Sequence, residues 1–150
     1  MKYFQEDFFC ILFLIMFMVS CSNDEEQFEG VDFDTSGMVL NRNGVTSYYG
    51  EVPSAGGVVT FMAKGKKKEN GFLSQVRAGD FFLEVPMVEN LQLPYTVCNE
   101  EWGRIELTSS SPYVTRVTLH ENKENRDRNI ELTFGGGYVI SNVVIRQKGI

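Results

Sequence analysis

Histidine, cysteine and basic charge are all scarce in this chain of 150 residues. His120 is the only histidine, which excludes a multi-histidine zinc site, and a multi-cysteine site would need Cys10, in the first apolar run, as well as Cys21 and Cys98. The net charge is -6, with 14 Lys and Arg against 20 Asp and Glu. Nucleic-acid binding needs clustered cations, and the one basic cluster, residues 66–68, lies in a glycine-bounded segment typical of an exposed loop. We therefore predict no nucleic-acid partner.

The sequence also lacks the short motifs of common enzymes, including the P-loop, the dinucleotide fingerprint and the nucleophile elbow. Glu100 and Glu101 form a carboxylate pair, but adjacent residues of a strand point to opposite faces. Cys98 is predicted to be a buried small side chain on a strand, because nothing in the spacing brings His120 close enough to activate it. We predict that the protein is not an enzyme and needs no cofactor.

Long apolar runs are confined to residues 8–19, which carry no charge. As a helix this run would span about 18 Å, well short of a bilayer core of roughly 30 Å. Its length is instead typical of the hydrophobic region of a signal peptide. Removal of such a signal would also remove Cys10, so no disulfide framework is expected in the mature chain.

The sequence "MVSC", residues 18–21, follows this run and resembles the lipobox of bacterial lipoproteins. The resemblance implies that residues 1–20 are a lipoprotein signal peptide and that Cys21 is lipidated, which would anchor the protein to the outer membrane. The acidic "SNDEE", residues 22–26, resembles the signal that sends some Gram-negative lipoproteins to the cell surface. The alternatives are an unlipidated secretory signal and a simple solvated tether.

Residues 21–44 are polar and rich in turn residues, so we predict a tether with a short strand at residues 38–40. The rest of the chain, residues 45–150, shows short alternating runs and no helical period, which predicts an all-β, immunoglobulin-like β-sandwich. A hairpin is expected at residues 135–137 and a bulge near Ser141-Asn142. The predicted strands are residues 45–52, 56–64, 72–76, 80–87, 95–98, 102–108, 113–120, 129–134 and 138–147.

Three of these runs predict which side chains face the core. The expected inward sets are Phe81, Leu83, Val85 and Met87; Val117 and Leu119; and Ile130, Leu132 and Phe134.

Both ends of residues 45–150 are similar to a BACON domain, a family of immunoglobulin-like sandwiches. The pattern is carried by Gly56-Gly57, Asn125-Arg126 and the terminal Gln147-Lys148-Gly149. The middle departs from it, because the family usually has a tryptophan early in the domain and here Trp102 comes late. The resemblance implies a non-catalytic protein that binds a glycan or supports glycan capture at the outer membrane.

Two binding sites are suggested by the residues themselves. Asp32, Asp34 and Ser36 place oxygens at alternate positions before Gly37, a spacing that wraps calcium in some loops; the alternative is a set of ordinary tether aspartates. An aromatic platform for sugars is the second. Its alternative is that the lone tryptophan caps the core. The platform candidates are the aromatic residues Trp102, Tyr95, Tyr113, Tyr48 and Tyr49, with Arg104 near Trp102.

The leading prediction is thus a lipid-anchored surface protein with a polysaccharide as partner, held to the membrane through Cys21. The alternative is a structural or adhesive protein, in which the sandwich is a spacer or joins a surface protein complex through a sheet edge.

Overall fold

A computed structural model describes residues 28–86 and 91–150, and this part of the chain is almost entirely β. Four features singled out in the sequence lie outside the described residues: the predicted signal peptide, Cys21, the acidic run and Met87. No helix in the described part is long and apolar enough to cross a membrane. One turn of 3-10 helix, Lys68–Asn70, accompanies the strands β1 (Asp32–Ser36), β2 (Asn41–Arg42), β3 (Ser47–Val52), β4 (Gly57–Lys64), β5 (Leu73–Ala78), β6 (Phe81–Glu84), β7 (Tyr95–Asn99), β8 (Gly103–Ser110), β9 (Tyr113–Leu119), β10 (Arg128–Gly136) and β11 (Val139–Gln147).

These strands form two sheets that pack as a sandwich, so the predicted all-β, immunoglobulin-like architecture is confirmed. One sheet has five strands in the order β1-β4-β9-β8-β7, and the other has six in the order β2-β3-β11-β10-β5-β6. Neighbouring strands are antiparallel except β3 and β11, which run parallel. Strand β3 is thereby joined directly to β11, the last strand of the domain.

The core lies between the sheets and is filled by the inward half of each alternating strand. The predicted facing is confirmed at β9 and β10, whose inward apolar residues are buried, and at Phe81, Leu83 and Val85 around β6. The predicted hairpin is also confirmed: β10 and β11 pair as far as Gly136 and Val139, and Gly137 has a φ of 62°.

The predicted bulge at Ser141 is wrong. The pairing of β10 with β11 continues without a shift through Phe134 and Ser141. The alternation only looks broken in the sequence, because Ser141 is a polar residue at an inward position. Its hydroxyl accepts a hydrogen bond from the Val31 amide at 2.7 Å and donates one to the Val31 carbonyl at 3.1 Å, which makes its burial tolerable.

The folded domain begins before residue 45, so the predicted extent of the tether requires correction. Strand β1 pairs with β4 along its whole length, and Glu29 forms an isolated bridge with Val139. Phe33 is buried, with its ring centroid 4.6 Å from that of Phe134 and 6.0 Å from that of Phe61. The predicted strand at residues 38–40 is absent from the described structure, although Met38 is buried against Gly50.

Candidate functional site

The outer face of the six-stranded sheet carries a shallow groove of about 210 Å³. Its lining comes from β5, β6 and β10, and it is formed by Gln75, Arg77, Phe82, Glu131 and Thr133. Phe82 is 51% exposed although it is a large apolar side chain. The Arg77 guanidinium lies 5.7 Å from the centre of the Phe82 ring, a cation–π contact that holds both groups at the surface.

The groove lies between two rows of outward side chains that run across the strands. The first row joins cross-strand neighbours and has an aromatic residue at each end: Tyr49, Val144, Glu131, Arg77 and Phe82. The second row is entirely polar: Ser47, Asn142, Thr133, Gln75 and Glu84. The Thr133 hydroxyl donates to the Asn142 side-chain oxygen at 3.1 Å, which fixes the middle of this row.

The chemistry of this face is amphipathic. An exposed aromatic ring presents a flat apolar surface, while amide, hydroxyl, carboxylate and guanidinium groups around it donate and accept hydrogen bonds. Tyr49, at the far end of the first row, is 48% exposed. Four strand steps separate Tyr49 from Phe82, which corresponds to about 19 Å at the usual spacing between strands. A ligand that touched both rings would have to be an extended molecule.

The platform residues expected from the sequence do not come together. Arg104 lies on the outer face of the other sheet, where it pairs with Glu106 at 3.5 Å. Tyr95 and Tyr113 are partly buried against the core. Trp102 is only 2% exposed and so presents no ring face to a ligand. Tyr48 is buried as well, so of the five aromatic candidates only Tyr49 is exposed, and it lies on the other sheet from Arg104.

Trp102 is buried because its loop turns back on itself. The Asn99 side-chain oxygen accepts hydrogen bonds from the amides of Glu101 and Trp102, at 2.9 and 3.3 Å. This turn directs the indole towards the core, where it meets Phe81 edge-on with ring centroids 5.9 Å apart. The alternative interpretation, a tryptophan that caps the core, is the one the structure shows. On the preceding strand β7, Cys98 is exposed rather than buried, because Val97 takes the inward position.

The predicted calcium ligands lie on a strand, not in a loop. Alternate residues of an extended strand are about 6.6 Å apart, so their oxygens cannot wrap one ion. Asp34 pairs with Lys64, and Asp32 accepts a hydrogen bond from the Tyr48 hydroxyl at 2.9 Å; Ser36 is exposed at the end of β1. Within residues 28–86 and 91–150, no group of three or more His, Cys, Asp or Glu could hold a metal ion.

Tyr48 provides a stability prediction that depends on pH. Burial, followed by its hydrogen bond to Asp32, raises the pKa of Tyr48 to about 12. Since this pKa lies above the ordinary value near 10, the folded chain holds the proton more tightly than the unfolded chain. The contribution of the protonated Tyr48 to the free energy of unfolding is therefore fully present below pH 10 and is lost as the pH rises from 10 to 12.

We expect the stability advantage of the wild type over Tyr48→Phe to narrow across this range, by at most about 1.4 kcal/mol per pH unit. Urea unfolding at a series of pH values measures it. Parallel curves for the two proteins would show that Tyr48 titrates normally.

The residues that carry the BACON resemblance meet at one end of the sandwich, which we call the C-terminal end. Gln147 is completely buried there, and its amide nitrogen donates to the carbonyls of Ser54 at 3.0 Å and His120 at 2.8 Å. Its side-chain oxygen accepts from the Arg128 guanidinium at 2.7 Å. Arg128 donates further to the carbonyls of Glu101 and His120.

Asn122 completes this C-terminal network. It is 1% exposed, and its side-chain nitrogen donates to the carbonyls of Arg126 at 2.9 Å and Lys148 at 3.1 Å. Gly149 packs so closely on this loop that a Cβ there would lie 2.6 Å from the Arg126 nitrogen. The pattern of the sequence at this end therefore serves packing and hydrogen bonding of the backbone, rather than contact with a ligand.

Fold and surface together define an immunoglobulin-like β-sandwich with a polar and aromatic outer face. No family model and no curated protein matches the chain. Among solved structures, the fold is similar to a protein from Bacteroides thetaiotaomicron determined by NMR. That match has a TM-score of 0.56 and 15% sequence identity and covers 86% of this chain and 95% of the other. At this identity, the similarity shows the fold alone.

Proposed function

We propose that the protein is a lipid-anchored, surface-exposed lipoprotein that binds a glycan without catalysis. The observation that carries the proposal is the groove on the outer face, where an exposed phenylalanine lies among polar and charged side chains. Sugars have apolar C–H faces and a rim of hydroxyls, so they are bound by rings with hydrogen-bonding groups beside them.

Each group of the groove has a role in this proposal. The Phe82 ring packs against the C–H face of one sugar, and Arg77, already in contact with that ring, donates to its hydroxyls. Gln75 and Thr133 both donate and accept, and Glu131 accepts. The row of outward side chains continues from the groove to the exposed Tyr49, which favours a chain over a monosaccharide.

Anchoring through Cys21 is proposed from the lipobox alone, since Cys21 lies outside the described residues. Similarity to BACON domains remains a proposal too. It is supported by the meeting of Gly56, Arg126, Gln147 and Gly149 at the C-terminal end, which gives their spacing in the sequence a common physical reason.

Substitution at the groove tests glycan binding. We expect Phe82→Ala and Arg77→Ala each to weaken binding about tenfold or more, because each removes a central contact. Arg104→Ala is the matched control, since Arg104 is an exposed cation on the outer face of the opposite sheet. A glycan array identifies the ligand for the wild type, and titration calorimetry compares the variants.

Binding that survives Phe82→Ala unchanged would remove the groove from the proposal. If the wild type binds no glycan and instead captures a surface protein, the structural or adhesive alternative is the better one.

A further inference from the structure

The end of the sandwich opposite the C-terminal network, which we call the N-terminal end, exposes a cluster of large apolar side chains. Phe28, Val45 and Tyr138 are 54%, 63% and 59% exposed. The rings of Phe28 and Tyr138 lie 6.4 Å apart, and the amide of Glu29 donates to the Tyr138 carbonyl at 3.0 Å. The Val45 carbonyl packs directly against Gly30. These residues, distant in the sequence, therefore form one surface.

Cationic side chains border this apolar surface. The loop after β4 carries Lys66, Lys67 and Lys68 beside Glu69, and Lys66 and Lys68 are exposed. The Lys67 ammonium pairs with the Glu29 carboxylate at 2.7 Å, which holds the lysine loop next to Phe28. Exposed aromatic rings with lysines at their edge are the combination found at membrane interfaces, where rings enter the headgroup layer and lysines contact phosphates.

The position of Cys21 gives this surface its partner. Only residues 22–27 separate Cys21 from Phe28, and seven steps of extended chain reach at most about 25 Å. A lipid on Cys21 would thus hold the N-terminal end, rather than the C-terminal end, close to the bilayer.

We propose that the N-terminal end rests on the lipid bilayer, with Phe28, Val45 and Tyr138 in the headgroup layer and the lysine loop on the phosphates. This inference rests on the proposed anchor at Cys21. It goes beyond tethering, because contact at this end also sets the orientation of the domain. The strands would then run roughly perpendicular to the membrane plane. The groove on the outer face of the six-stranded sheet would face sideways and stay accessible to a ligand.

Depth-dependent quenching tests the contact. The mature chain with Cys98→Ser is reconstituted in vesicles of phosphatidylcholine and phosphatidylglycerol, with a fluorophore on either Val45→Cys or Lys123→Cys. Lys123 is an exposed residue of the loop at the C-terminal end and serves as the control. We expect nitroxide-labelled lipids to quench the label at position 45 and not the label at position 123.

A further variant distinguishes contact of the N-terminal end with the bilayer from mere closeness of that end to the lipid anchor. Phe28→Ser with Tyr138→Ser should lower quenching at position 45 to the level at position 123, while the protein still sediments with vesicles. Quenching that is equal at both positions in the parent protein, or unchanged in the double variant, would overturn the contact.

Failure of the anchor has a different signature. The protein would then carry no lipid and would sediment no better than Cys21→Ala. In that case the same labelled chains, attached to nickel-chelating lipids through a histidine tag before residue 22, still report whether the N-terminal end touches the bilayer.

Discussion

Replacement of Phe33 by alanine is expected to lower the free energy of unfolding by about 3–5 kcal/mol, the usual cost of removing a buried aromatic side chain. Phe33 is 7% exposed and contacts the rings of Tyr48, Phe61 and Phe134, so its loss leaves a cavity between the sheets. Chemical denaturation of the wild type and the variant measures the difference.

Phe82→Ala is the matched control for this measurement, because it removes the same side chain from an exposed position. We expect the control to change stability by no more than about 0.5 kcal/mol. If Phe33→Ala changed the free energy of unfolding as little as the control does, residues 28–44 would be the predicted solvated tether. Strand β1 would then not belong to the domain.

Gln147→Ala is expected to destabilise the domain by about 2–4 kcal/mol. The substitution removes three hydrogen bonds at once and leaves a gap at a completely buried position. It also takes from the Arg128 guanidinium one of the acceptors that offset the cost of its desolvation, a cost that lowers the pKa of Arg128.

Arg146→Ala tests the specificity of that loss. Arg146 precedes Gln147 on the same strand but is exposed, and its ion pair with Glu51 is long, at 3.7 Å. Removing an exposed pair of this kind costs at most about 1 kcal/mol. If both variants lowered the free energy of unfolding equally, the buried network around Gln147 would contribute no more to stability than an ordinary surface contact.

The sequence predicted the strands well because period-two alternation directly reflects burial on one face of a sheet. Ile130, Leu132 and Phe134 illustrate this, since all three are inward and fully buried. The prediction failed where an inward position is polar. Ser141 is satisfied by the backbone of Val31, a residue 110 positions away, and no local pattern reveals such a partner.

The start of the domain was missed for a related reason. Residues 28–37 contain only three apolar side chains, Phe28, Val31 and Phe33, among acidic residues, glycine, threonine and serine, and so have the composition of a tether. Their burial comes from pairing with strands that follow much later, such as β4 with β1 and β11 with Glu29. Composition alone cannot register that long-range pairing.

The candidate site was not predicted because its residues share no stretch of sequence. Phe82, Arg77, Glu131 and Tyr49 become neighbours only through the registers of β6, β5, β10, β11 and β3. A lone tryptophan in a polar segment was the stronger local signal, but the Asn99 turn buries it. Tyr49 was among the aromatic candidates, and the local sign of the groove itself was the outward phase of Phe82, a large apolar residue on the solvent face of an alternating strand.

The most direct test of glycan binding at the outer face is amide chemical-shift mapping of the ¹⁵N-labelled protein during titration with the glycan that it binds most tightly. We predict that the shifted amides cluster on Gln75, Arg77, Phe82, Glu131 and Thr133 and extend along the row towards Tyr49. Shifts confined to the opposite sheet, around Arg104 and Thr118, or an absence of shifts with every glycan tested, would contradict the proposal.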